Sequence, residues 1–237
     1  MPYELYYWPM IQGRGEFVRL ALEEAGAEYV DVARDSNKGM RAMESLLENG
    51  ERPPFAPPFL KDGALIIGQT AAILFYLGGK HDLAPKDEAG RLWTHQIQLT
   101  IADFVLEAHD THHPIASSLY YEDQKDEAAR RTQDFRDNRV SKYLDWFETI
   151  LTRNPAGPKH LAGDNITYTD LSLFQVIAGL SYAFPKLMKR ELRKHPKIAA
   201  LHHAVAKRPR IKAYLASPRR IPFNESGIFR RYPELDA

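Results

Sequence analysis

The chain changes texture once, and that change constrains its fold more than any single motif. Every strand signal falls before residue 70, and from residue 87 onward only helical patterns occur. Residues 3–8, YELYYW, alternate aromatic and other side chains and read as a strand. EFVRLALEEAG sets Phe17, Leu20, Ala21 and Ala25 near helical spacing and stops at Gly26. EYVDVAR reads as a second short strand, which completes a β-α-β unit long enough for a right-handed parallel crossover. Residues 35–52 read as a polar, irregular connection with a helical turn around Met40–Leu47. ERPPFAPPF then brings four prolines into nine residues. FLKDGALIIG reads as a hairpin about an Asp62-Gly63 turn, and QTAAILFYLGG as a helix closed by Gly78-Gly79. Helical patterns follow over 87–110, 124–152, 168–183 and 186–216. The expected architecture is therefore α/β plus all-α: a βαβ-ββα domain at 1–80, a linker at 81–87 and a helical domain at 88–237.

Composition limits what the two parts can do. The chain is 44% hydrophobic and 27% charged, as globular chains are, with a net charge of +1 that offers no general attraction to polyanions. It has no cysteine, which excludes disulfides, thiolate metal sites and a cysteine nucleophile. No apolar run reaches the ~20 residues of a membrane span, and the first residues lack a basic n-region. The expectation is a soluble, cytoplasmic protein without a membrane partner.

Several stretches carry chemistry, each beside a plainer reading. Gly13-Arg14-Gly15 follows a strand and opens a helix, but Val18 stands where a dinucleotide fingerprint needs its third glycine. His109 and His113 share a helix face with His112 nearby, yet no carboxylate pattern accompanies them, so partly exposed polar residues outweigh a metal site. Residues 186–220 hold twelve Lys/Arg and one Glu, spread along helices with Leu192, Ile198, Leu201, Val205 and Ile211 at core spacing. A solvated face fits better than a nucleic-acid surface. Gln69-Thr70 sits where a strand ends and a helix begins, a place for an ordinary N-cap or for an anion. Thr167 and Asp170 have the spacing of a capping box at a helix start.

Taken in order, these stretches resemble the cytosolic glutathione S-transferases of the tyrosine-type classes (alpha, mu, pi and sigma). YYWPMIQGRGEFVRLALEEAG resembles the first strand and helix of those classes. PPFLKDGALIIGQTAAILFYL resembles the family's cis-proline, hairpin and Gln-Ser/Thr helix start, GDNITYTDLSLF its capping box, and YLASPRR its last core helix. The resemblance implies a thioredoxin-like first domain that binds glutathione as co-substrate, an open pocket for a hydrophobic electrophile, and a homodimer acting in detoxification. It implies Tyr7 as the catalytic tyrosine, Gln69 and Thr70 as ligands of the γ-glutamyl end, and Arg14 as a structural arginine near the site. Asp103 would reach the glutamyl amine across the dimer interface. Pro58 would be the cis-proline, preceded by Pro57, which has no N–H to donate to glutathione; a slipped register would give that part to Ala56. Lys38 and Arg41 are candidates for the glycine end, in a loop. By position, Trp8, Met10, Ile11, His109 and His113 are candidates for the second-substrate pocket. No metal is implied.

The expected chemistry follows from the thiol. An unperturbed thiol has a pKa of about 8.5, so little thiolate exists at neutral pH. A Tyr7 hydroxyl donating to the sulfur anion would favour ionisation, while Tyr6 should point to the opposite face of the strand. The alternative is a non-catalytic glutathione-binding carrier or interaction protein on the same fold.

Overall fold

The computed structural model describes residues 1–35 and 37–236, with Asn37 described through its backbone alone. The first part is a four-stranded sheet in the order β2-β1-β3-β4. Strand β1 (Tyr3–Tyr6) leads through a loop to helix α1 (Gly15–Ala25) and back to β2 (Tyr29–Asp31). β2 pairs in parallel with β1, Tyr3 opposite Tyr29. Helices α2 (Val32–Asp35) and α3 (Asn37–Asn49) precede the hairpin of β3 (Phe59–Asp62) and β4 (Leu65–Gly68). Gly63 turns that hairpin at φ 59°, a backbone region that favours glycine. Helix α4 (Thr70–Lys80) closes the unit.

Alternation on β1 builds two cores. Leu5 faces the side covered by α1 and α4 and joins Phe17, Leu20, Leu60, Ile73 and Leu74, all buried. Tyr6 faces the other side, stacks on Phe59 at 4.6 Å between ring centroids and packs near Met43 of α3.

Three expectations for this part change. The connection at 35–52 is not irregular: it holds helix α3, so Lys38 and Arg41 are exposed helical residues rather than loop residues. Met40, Met43, Leu46 and Leu47 make an apolar stripe whose partners, Tyr6 and Phe59, lie elsewhere in sequence. Gly78-Gly79 does not end α4, which runs on to Lys80. Gly78 is buried inside it because the Tyr168 ring lies where a Cβ would stand. EYVDVAR is likewise strand only to Asp31 before its backbone turns helical.

The remaining elements described are helical: α5 (Glu88–Asp110), α6 (Lys125–Asp134), α7 (Val140–Arg153), α8 (Tyr168–Ala183), α9 (Pro185–Lys194), α10 (Pro196–Lys207) and α11 (Pro209–Leu215). A π-helical stretch, Phe135–Arg139, joins α6 to α7. Pro185, Pro196 and Pro209 each open a helix, where a missing N–H costs nothing, and so divide the last helical pattern into three. Helix α8 is the hub, with nearly every residue buried. Its start is fixed by Asp170, whose carboxylate accepts from the Thr167 and Leu161 amides, each at 2.8 Å, and from the Thr167 hydroxyl at 3.0 Å.

Charge also joins the two parts. Arg19 and Glu16 of α1 are wholly buried and paired at 3.3 Å. Arg19 also pairs with Asp31 at 2.7 Å, and Glu16 accepts from the Tyr214 hydroxyl at 2.7 Å and from Arg220. Six of the twelve basic residues of 186–220 are held by acids: Arg190 and Lys194 by Glu191, Lys197 by Glu148, Arg208 by Glu24, Arg219 by Glu23 and Arg220 by Glu16. That neutralisation removes the reason to read the segment as a polyanion surface.

Candidate active site

Tyr7 lies one residue beyond the last paired residue of β1, where the chain leaves the sheet for the loop into α1. Only 5% of it is exposed. Gly13 at φ 45° and Gly15 allow the loop to fold back onto its ring, since a Cβ on Gly13 would collide with the Tyr7 hydroxyl. The Arg14 amide donates to the Tyr7 oxygen at 2.8 Å. No described residue accepts the hydroxyl's own proton. Burial pushes the Tyr7 pKa up, while the Arg14 amide and the Arg14 and Arg19 charges pull against it. The Arg19 guanidinium stands 5.8 Å from the ring centroid. Tyr7 is thus a protonated hydroxyl, held by its oxygen, with one hydrogen to give.

Around it, Pro57-Pro58 is a cis peptide, so the residue before the cis-proline is Pro57 and not Ala56. Ala56 is exposed, Pro57 half-buried and Pro58 buried. Gln69 takes φ 63° as the N-cap of α4, and Thr70 is the first residue of that helix. The Thr70 hydroxyl is buried without a partner at a helix N-terminus, where amide donors point outward. A cavity of about 30 Å³, room for a water, is lined by Arg14, Thr70, Gln98 and Val105 among others. Gln98 was not singled out by sequence. It is 2% exposed and its Oε1 also lacks a partner, a signal that only the packing of α5 reveals.

The remaining candidates scatter more widely. Asp103 is exposed on α5 and pairs with nothing described in its own chain. Trp8 and Met10 are 40% and 75% exposed, and Ile11 is half-buried. His109 and His113 stack at 5.0 Å between ring centroids, with His112 at 5.2 Å and 4.8 Å from them. His112, the most buried of the three, donates through Nε2 to the Ile228 carbonyl at 2.7 Å, and burial lowers its pKa to about 3. No group of metal-ligating side chains occurs among the described residues.

Residues 1–79 match the family model for the glutathione S-transferase N-terminal domain, and residues 109–218 that for the C-terminal domain. The chain belongs to the glutathione S-transferase family. Glutathione S-transferase P of Bos taurus is 28% identical to it over 239 residues, 95% of this chain and 98% of that protein. The glutathione S-transferase of Plasmodium yoelii yoelii is 24% identical over 207 residues, 87% of this chain and 90% of that protein. In fold, the chain is similar to a pi-class glutathione S-transferase of Onchocerca volvulus (TM-score 0.73, 22% identity, 96% of this chain and 99% of that one). It is similar too to a prostaglandin synthase D of Nilaparvata lugens (TM-score 0.72, 21% identity, 94% of this chain and all of that one). In this glutathione S-transferase the Thr70 hydroxyl is without a partner and the Tyr7 proton is uncommitted among the described residues. No described helix is long and apolar enough to cross a membrane.

Proposed function

We propose that this transferase conjugates the thiolate of glutathione to hydrophobic electrophiles, with the Tyr7 hydroxyl stabilising that thiolate. The hydrogen-bond balance of Tyr7 carries the assignment. Its oxygen is anchored by the Arg14 amide, which leaves its proton for the sulfur. A hydrogen bond to the anion lowers the thiol pKa, each unit corresponding to about 1.4 kcal/mol. Burial raises the pKa of Tyr7 itself, so it acts as a donor and not as a base.

In this reading Thr70 and the α4 N-terminal amides receive the γ-glutamyl carboxylate, with Gln69 beside them. The Pro57 carbonyl accepts from the cysteinyl N–H, and the bond a residue with an N–H would have donated is missing. Lys38 and Arg41, exposed on α3, have the charge for the glycine carboxylate. Trp8, Met10, Ile11, His109 and His113 border the electrophile. The working unit is a homodimer. Leu92, Leu99 and Leu106 stand seven residues apart on α5 at 58%, 49% and 50% exposure, and Phe55 is 96% exposed, which supports burial against a second copy. Asp103 lies between Leu99 and Leu106 on that face, where it would serve the partner's glutathione. The corresponding role is detoxification in the cytoplasm.

Steady-state conjugation of a chloronitrobenzene by the wild type and Tyr7→Phe tests the reading. A large drop in the variant is expected; equal rates would remove Tyr7 from the mechanism.

A further inference from the structure

The tail after Arg220 is fastened across the Tyr7 loop and the end of α5. Gln12 donates to the Ile221 carbonyl, and Asn224 Nδ2 donates to the Met10 carbonyl at 2.9 Å. His112 holds the Ile228 carbonyl at 2.7 Å. Phe229 lies against Gly179, where a Cβ would collide with its ring. Gln12, Gly13, Gly227 and Ile228 line one cleft, and Gly13 in turn packs on the Tyr7 hydroxyl. Residues 227–230 are therefore fixed between the proposed catalytic tyrosine and the three histidines.

Arg230 ends this run. Its Nε donates to the Gly227 carbonyl at 2.8 Å, which orients the guanidinium, and no described carboxylate pairs with it. The Arg14 side chain has no carboxylate partner either. Arg230 lies two residues beyond the carbonyl that His112 holds, and Arg14 follows Gly13, which shares a cleft with Ile228. After burial, the Arg230 charge depresses the pKa of His109, His112 and His113, and the Arg14 charge that of His109. The acid facing this group is Asp110, 3.4 Å from His109 Nδ1. An arginine at a surface usually needs no explanation. Here two uncompensated arginines flank a stacked histidine pair at the proposed second-substrate position, on a partly desolvated background where an anion gains most.

We propose that Arg230, with Arg14 and the His109–His113 pair behind it, binds a carboxylate on the second substrate, so that electrophiles carrying an anionic end are preferred. The inference rests on the transferase reading above. With an enone as probe, conjugation adds the thiol's sulfur to the β-carbon and its proton to the α-carbon, and the carboxylate takes no part in bond making.

The test uses an aryl enone with a ring carboxylate, its methyl ester, and the saturated, unreactive ketone of each. The wild type should favour the acid over the ester about tenfold in kcat/KM, the size of a net charge-assisted bond. Arg230→Gln should bring that ratio close to one, and Arg230→Lys should keep most of it. Overturning results are an acid:ester ratio near one in the wild type, an equal loss on both substrates in Arg230→Gln, or a raised glutathione KM with the acid preference intact. The saturated pair is titrated by tryptophan fluorescence. If neither the enones nor the chloronitrobenzene are conjugated, the transferase reading fails, yet preferential binding of the saturated acid, lost in Arg230→Gln, would still uphold the anion site. Equal binding of saturated acid and ester would end it.

Discussion

Tyr6 and Tyr7 are neighbours with opposite surroundings. Tyr6 donates to Glu4 at 2.6 Å and stacks on Phe59, so it holds a core together. Tyr7 is held by its oxygen and keeps its proton. Period-two alternation made this division legible in the sequence, because it needs no knowledge of distant residues. The partnership of His112 with Ile228 was not legible, since it joins residues 116 apart and depends on where the tail lies. Tyr7→Phe should lower kcat/KM for conjugation about ten- to a hundredfold, read by steady-state kinetics, while Tyr6→Phe should act on thermal stability. With its pKa raised by burial, Tyr7 stays protonated as pH rises, so the kcat profile should show no fall with a midpoint at or below about 10. Gly13→Ala combines a positive φ with a collision against Tyr7. It should reduce turnover at least tenfold with little change in far-UV circular dichroism.

Elements follow the same division between local and distant information. The hairpin at Gly63 and the start of α8 at Asp170 are written in adjacent residues, and both form where the sequence places them. Helix α3 is hidden because its stripe is short and surrounded by polar residues, and its burial depends on β3. Gly78 reads as a stop because glycine ends helices, but here it admits the Tyr168 ring. At the site, the helix start at Gln69-Thr70 was legible, whereas the buried, partnerless Gln98 was not, because only the closeness of α4 and α5 gives it meaning. Asp170→Ala removes three hydrogen bonds at a buried cap. It should cost about 2 kcal/mol, measured by urea denaturation.

The whole molecule depends on contacts between its α/β and helical parts. Glu16, Arg19, Tyr214 and Arg220 form a buried cluster, so removing one partner strands the others' charge. Glu16→Ala should destabilise the protein by about 3 kcal/mol or more, seen as a single lowered melting transition. The exposed leucine row of α5 points outward from this assembly. Leu99→Glu should convert the proposed dimer to monomer in sedimentation velocity, and an unchanged sedimentation coefficient would place the interface elsewhere.

The central claim is that Tyr7 stabilises the glutathione thiolate, and ultraviolet thiolate absorbance of bound glutathione against pH reads it without a second substrate. The account predicts a midpoint well below the free thiol's value of about 8.5 in the wild type, rising towards that value in Tyr7→Phe. The same midpoint in both proteins would contradict it.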